Sequence, residues 1–103
     1  MKSVNPMKDC KELCWSCRTQ CQETLVQHCL EAGGEHVAKD HVKLMLDCIQ
    51  ICQTAADFMD RESALHAYTC AACAKICAAC AESCAKIDSN RMQKCAEICR
   101  KCA

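Results

Sequence analysis

The stretch that decides the fold is Cys70-Ala-Ala-Cys73-Ala-Lys-Ile-Cys77-Ala-Ala-Cys80-Ala-Glu-Ser-Cys84. Five thiols fall in it at alternating steps of three and four, with alanine between them and no glycine or proline. Steps of three and four return to one face of an α-helix, so the stretch predicts a helix with one continuous stripe of sulfur. Alanine is the strongest helix former and keeps the wall between the thiols thin.

Working outward, the same stripe recurs. Each segment of the chain carries one version of Cys-x-x-[Leu/Ile]-Cys, at Cys10, Cys48, Cys73 and Cys95. The first stripe is Met7, Cys10, Cys14, Cys17, Cys21, and the second is Met45, Cys48, Cys52, Ala55, Met59. The third is Cys70 to Cys84, and the fourth is Met92, Cys95, Cys99, Cys102. Ala55 alone among these positions lacks sulfur, and only Met1 and Cys29 carry sulfur outside them. A repeat in phase on four segments is the signature of one shared interior. The residue before the second stripe cysteine is apolar in each segment (Leu13, Ile51, Ile76, Ile98), which widens the seam into a bundle-type face.

Breakers separate the segments. Asn5-Pro6 opens the first helix and Gly33-Gly34 closes it. Asp60 to Ser63 and Asp88-Ser89-Asn90 supply turns and N-cap residues. The expectation is an all-α fold: one domain over residues 1–103, an antiparallel up-down-up-down four-helix bundle with a cysteine-lined core. The helices are expected at about 6–31, 35–59, 63–87 and 89–102.

Composition agrees. The chain has 103 residues with 15 cysteines, two glycines and one proline, unlike a turn-rich disulfide scaffold. Trp15, Phe58 and Tyr68 are its three aromatics, so large side chains alone cannot fill a core. Thirteen basic and thirteen acidic residues cancel, which gives no electrostatic case for nucleic acid or an anionic membrane. The first residues lack an apolar signal region and no stretch is long enough to span a membrane. A cytoplasmic location with reduced thiols is expected, and an odd cysteine count fits poorly with complete pairing. No nucleophile–base constellation or phosphate loop suggests an enzyme.

Thiols are small for a core. Leucine or isoleucine would stabilise each site by about 1 to 2 kcal/mol more, so stability does not explain cysteine there. Bridges between neighbours on one helix would be strained. Iron–sulfur ligands usually sit on loops with free amides, and the bacterial Cys-x2-Cys-x2-Cys-x3-Cys-Pro run is absent. Zinc thiolate sites usually come as separate knuckles of four ligands. Cu(I) fits best, because it is soft and accepts two or three thiolates, and each thiolate can bridge two ions. A column of this kind would hold on the order of ten to fifteen ions, roughly one per thiolate. A zinc or cadmium thiolate store and a thiol–disulfide or iron–sulfur redox protein stay open as alternatives. The candidate ligands are Cys10, Cys14, Cys17, Cys21, Cys48, Cys52, Cys70, Cys73, Cys77, Cys80, Cys84, Cys95, Cys99 and Cys102.

Antiparallel packing sorts the stripe ends. Met7, Met59, His66, Cys70 and Cys102 gather at one end, and Cys21, Cys84, Met45 and Met92 at the other. His41 lies one step before Met45, and His28 with Cys29 lies beyond Thr24. Neutral thioether and imidazole ligands suit a transfer station, so His41, Met45 and Met92, with His28 and Cys29, are the candidates for metal admission. His36 is left without a role. Ala71, Ala72, Ala78 and Ala79 form a plain outer face on the third helix, where a second subunit could approach.

From Met7 to Cys102 these in-phase cysteine runs resemble the bacterial copper storage proteins, Csp. Lack of an export signal makes the chain similar to their cytosolic branch. The resemblance implies storage of many Cu(I) ions in a preformed bundle, a homo-oligomer (a tetramer), and admission of metal at one end. The departure is the second helix, whose stripe has only Cys48 and Cys52, which lowers the expected capacity.

Overall fold

The computed structural model describes residues 6–102, and side chains from Lys8 onward, so the expectation for Met7 lies outside the described residues. Helix α1 (Pro6–Glu23) runs on through a π-helical turn (Thr24–Cys29) into Leu30–Ala32. A 3-10 turn (Gly34–Val37) leads to α2 (Lys39–Asp60), followed by α3 (His66–Ala85) and α4 (Asn90–Cys102). Consecutive helices pack on one another and α4 returns to α1, which closes an antiparallel four-helix bundle.

The turns show why the helices stop where they do. Gly33 has φ 67° and ψ −158°, a backbone region open essentially only to glycine. The second helix was expected from residue 35 but begins at Lys39, because the residues after Gly33 close a 3-10 turn first. The third was expected from 63 but begins at His66. The Ser63 hydroxyl accepts the Leu65 amide at 3.1 Å, and the His66 Nδ1 lies 2.8 Å from the Ser63 carbonyl. Ser63 therefore shapes the turn rather than capping the helix. Helix α3 stops at Ala85 instead of 87, and Gln93 of α4 donates its amide to the Ala85 and Ile87 carbonyls at 3.1 Å each. That satisfies carbonyls which a helix end would otherwise leave unpaired.

The interior is sulfur and small side chains. Cys14, Cys17, Cys21, Cys48, Cys52, Cys73, Cys77, Cys80, Cys84, Cys95 and Cys99 are buried, with Met45, Met59 and Met92. Ala55, Ala56, Ala81 and Ala96 let the helices approach closely, and Ile51, Ile76 and Ile98 pack at the margin. No aromatic enters this core among the described residues, though Trp15 packs against its margin. Trp15 lies under the Arg18 guanidinium at 5.2 Å, Phe58 under Arg61 at 5.0 Å, and Tyr68 is exposed. The bundle thus encloses a sulfur column in place of a conventional apolar core.

Candidate metal centre

The column can be followed from one end of the bundle to the other. At the first end Cys10, Cys70 and Cys102 are half-buried, so their thiols reach solvent. Cys14, Cys73 and Cys102 then form a triangle with Sγ separations of 3.9, 3.9 and 3.8 Å. Cys52 joins it, 3.8 Å from Cys73 and 3.6 Å from Cys77. Cys77 passes the chain of contacts to Cys48 at 3.7 Å. Cys48, Cys17, Cys21 and Cys99 form a compact group near the middle, and Cys21 continues to Cys95 at 3.6 Å. Cys80 and Cys84, both fully buried, complete the column. All fifteen cysteines are free thiols.

Helix geometry produces this order. Thiols three and four residues apart stack on one face, and antiparallel neighbours interleave their stripes. The fourteen candidate thiols are thereby brought together across all four helices. Each lies in a helix, where the backbone amides are already engaged, which does not suit an iron–sulfur cluster that relies on amide donors to sulfur.

Burial sets the proton balance. It pushes the Cys10 thiol up to about 11 from an ordinary 9.0, with help from repulsion by Cys14 and Cys70. The Cys29 thiol is pushed up to about 11 for the same first reason. Burial thus holds these two thiols neutral near pH 7, and a soft cation must displace their protons to bind there.

The second end differs from expectation at Cys29. A regular helix would carry the stripe from Cys21 toward His28. The π-helical turn accommodates one extra residue and rotates Cys29 inward instead. Cys29 is fully buried, with its Sγ 3.6 Å from Met92 Sδ. The sequence offers no local signal for this, because the spacing from Cys21 is one residue out of phase with the stripe. His28 sits half-buried beside it, its Nε2 3.1 Å from the Ser89 hydroxyl. Its ring meets that of His36 edge-on at 5.0 Å.

Met45, Met92 and His41 are buried at this end. The His41 Nδ1 lies 2.7 Å from the Ser83 hydroxyl, and its Nε2 is buried without a hydrogen-bond partner. Burial holds its pKa below the usual 6.5. A neutral imidazole with one nitrogen engaged and the other unpartnered matches the usual arrangement of a metal-binding histidine. Ser83 and Ser89, the two histidine partners, were missed from sequence because neither has a fixed spacing from its histidine. In the π-helical turn, Thr24 is fully buried and accepts the Gln20 amide at 3.2 Å, so the turn encloses this hydroxyl with a partner.

His66 was expected at the first end and is near it in the chain, but its Nδ1 serves the Ser63 turn. Ala71 and Ala78 are exposed on the outer face of α3, with Ala72 and Ala79 half-buried. No described helix is long and apolar enough to cross a membrane.

Known proteins resemble this chain in sequence and fold. A family model described as copper storage protein, Csp, matches residues 3–103. The "Uncharacterized cysteine-rich protein YhjQ" of Bacillus subtilis strain 168 is 37% identical over 94 residues, covering 91% of this chain and 86% of the relative. The solved structure of the Nmul_A1745 protein from Nitrosospira multiformis is 42% identical with a TM-score of 0.79, covering 94% of both chains. Cu(I)-bound copper storage protein BsCsp3 superposes with a TM-score of 0.87 at 34% identity, covering 93% of this chain and 90% of that one. Apo Csp3 from Bacillus subtilis gives 0.82 at 34% identity, covering 92% and 89%. The chain belongs to the copper storage protein family, Csp.

Proposed function

We propose that this protein stores and sequesters Cu(I), binding many ions through the thiolates that line its bundle. The observation that carries this is the chain of Sγ contacts of 3.5 to 4.0 Å running through the interior. Neighbouring ions can share a bridging thiolate at such spacing, and paired charges keep a dry core near neutrality. A centred ion in the Cys14–Cys73–Cys102 triangle would lie about 2.2 Å from each sulfur, close to a metal–thiolate bond length. Membership of a family that includes a Cu(I)-bound relative supports copper as the cargo.

The ligands in this reading are the fourteen stripe cysteines from Cys10 to Cys102. His41, Met45 and Met92, with His28 and Cys29, form the station at which metal is admitted. The unpartnered Nε2 of buried His41 supports that role. The protein acts as a cytosolic homo-oligomer without substrate turnover. The exposed alanines of α3 offer a close-approach surface for a second subunit.

The test is an anaerobic Cu(I) titration of the fully reduced protein against a colorimetric Cu(I) chelator. On the order of ten to fifteen ions per chain are expected. Saturation below roughly four, the count of one cluster site, would reject storage.

A further inference from the structure

The four thiols at the middle of the column have a geometry that multi-ion copper storage does not require. The Cys17 Sγ lies 4.0 Å from Cys21, 3.6 Å from Cys48 and 3.7 Å from Cys99. Cys21 lies 3.9 Å from Cys48 and 3.5 Å from Cys99, and Cys48 lies 4.0 Å from Cys99. All six edges of the figure are therefore nearly equal, and the sulfurs form a tetrahedron. A tetrahedral zinc thiolate site with bonds of about 2.3 Å needs edges of about 3.8 Å. The observed edges bracket that value.

We propose that Cys17, Cys21, Cys48 and Cys99 form a preorganised tetrahedral site for one Zn(II) ion within the thiol column. This is a single site for a divalent cation, distinct from multi-ion Cu(I) storage. Three helices build it. Cys17 and Cys21 stand one turn apart on α1, Cys48 comes from α2 and Cys99 from α4, and all four are fully buried. The other thiol groups fit a tetrahedral ion less well. Among Cys17, Cys52, Cys77 and Cys102 the close separations are Cys52 to Cys77 at 3.6 Å and Cys52 to Cys102 at 4.0 Å. Cys52 approaches two corners of the Cys14–Cys73–Cys102 triangle, Cys73 at 3.8 Å and Cys102 at 4.0 Å, without completing a group of four with Cys14.

Binding exchanges four thiol protons for one Zn(II), with no change of oxidation state. Four thiolates and one divalent cation leave two negative charges in a buried place, which needs hydrogen-bond donors. Cys77 stands 3.7 Å from Cys48 and Cys95 stands 3.6 Å from Cys21. As protonated thiols they donate S–H to two of the bound thiolates. They take the part that backbone amides play where metal ligands lie on loops.

The test uses the reduced full chain without copper, under argon. Titration with Co(II) reports the coordination, and competition for Zn(II) with a chromophoric chelator reports the affinity. One Co(II) per chain is expected, with the intense visible bands of a tetrahedral thiolate complex, and one equivalent of Zn(II) abolishes them. C48A and C99A are each expected to weaken Zn(II) binding by more than the roughly 10–100-fold that loss of a supporting contact causes. M59L changes a buried thioether outside the tetrahedron and outside the thiol ligands, and is expected to leave affinity unchanged. Circular dichroism checks that each variant is helical. An octahedral Co(II) spectrum, or equal loss in M59L and C99A, would overturn the site. If C99A does not fold, the wild-type Co(II) spectrum decides, and a charge-transfer band too weak for four thiolates overturns it. None of these readings uses Cu(I), so failure here leaves the copper titration to stand or fall separately.

Discussion

The Cys29 Sγ lies 3.6 Å from the Met92 Sδ, although in a regular helix Cys29 would fall outside the stripe that ends at Cys21. The π-helical turn Thr24–Cys29 makes the contact by fitting one extra residue into the turn. Deleting Gln27 should remove the extra residue and return the segment to α-helical geometry, with Cys29 seven positions after Cys21 and still in phase with the stripe. Reaction of native, metal-free protein with a chromogenic disulfide reagent should then show no additional fast thiol. An additional fast thiol would mean that the turn does not absorb one residue and does not control the placement of Cys29.

Exposure differs sharply along the column. Cys10, Cys70 and Cys102 are half-buried, whereas the other twelve cysteines are buried. Brief alkylation of the reduced protein, followed by peptide mass spectrometry, should label these three first. Early labelling of Cys84 or Cys95 would show that the opposite end opens as readily.

His41 is held by Ser83 at 2.7 Å with its Nε2 left unpartnered. The triple variant H41Q/M45L/M92L preserves volume at three buried positions, which limits the packing cost to less than about 1.5 kcal/mol per methionine. It should slow Cu(I) uptake in stopped-flow measurements without lowering the final capacity. Uptake at the wild-type rate would remove these residues from metal admission.

Proton linkage gives a further expectation for the metal-free protein. The Cys10 and Cys29 thiols are raised from 9.0 to about 11 by burial. Above pH 9 the unfolded chain loses these protons while the folded one retains them, so the folded state binds more protons and stability falls as pH rises. Urea midpoints should be level between about pH 6.5 and pH 9 and decline between pH 9 and 11. His41 works the other way, since burial lowers its pKa from 6.5, and stability should also fall as pH drops below that value. A flat profile above pH 9 would contradict the burial of the two thiols.

Gly33 carries a φ of 67° with ψ −158° at the end of the first helix. A Cβ there would meet no atom within 4 Å, so the cost of substitution is backbone strain alone. G33A should destabilise the protein by about 1–3 kcal/mol, visible as a lowered urea midpoint. No change would mean that the turn relaxes to a conformation other residues accept.

The bundle was legible in the sequence because its signal is periodic. Five thiols from Cys70 to Cys84 at steps of three and four can share a face only on a helix, and four such stripes in phase have one economical arrangement. The choice of cysteine where leucine would pack better identified the interior as a place for soft cations. Local rules reached no further than that. The positions of Cys29, of the Ser83 and Ser89 partners, and of the tetrahedron formed by Cys17, Cys21, Cys48 and Cys99 depend on distances between helices and on one irregular turn. Periodicity sets which face of a helix looks inward. The depth at which each thiol meets its neighbours is decided by how closely Ala55, Ala56, Ala81 and Ala96 let four helices approach, and only the packed molecule contains that information.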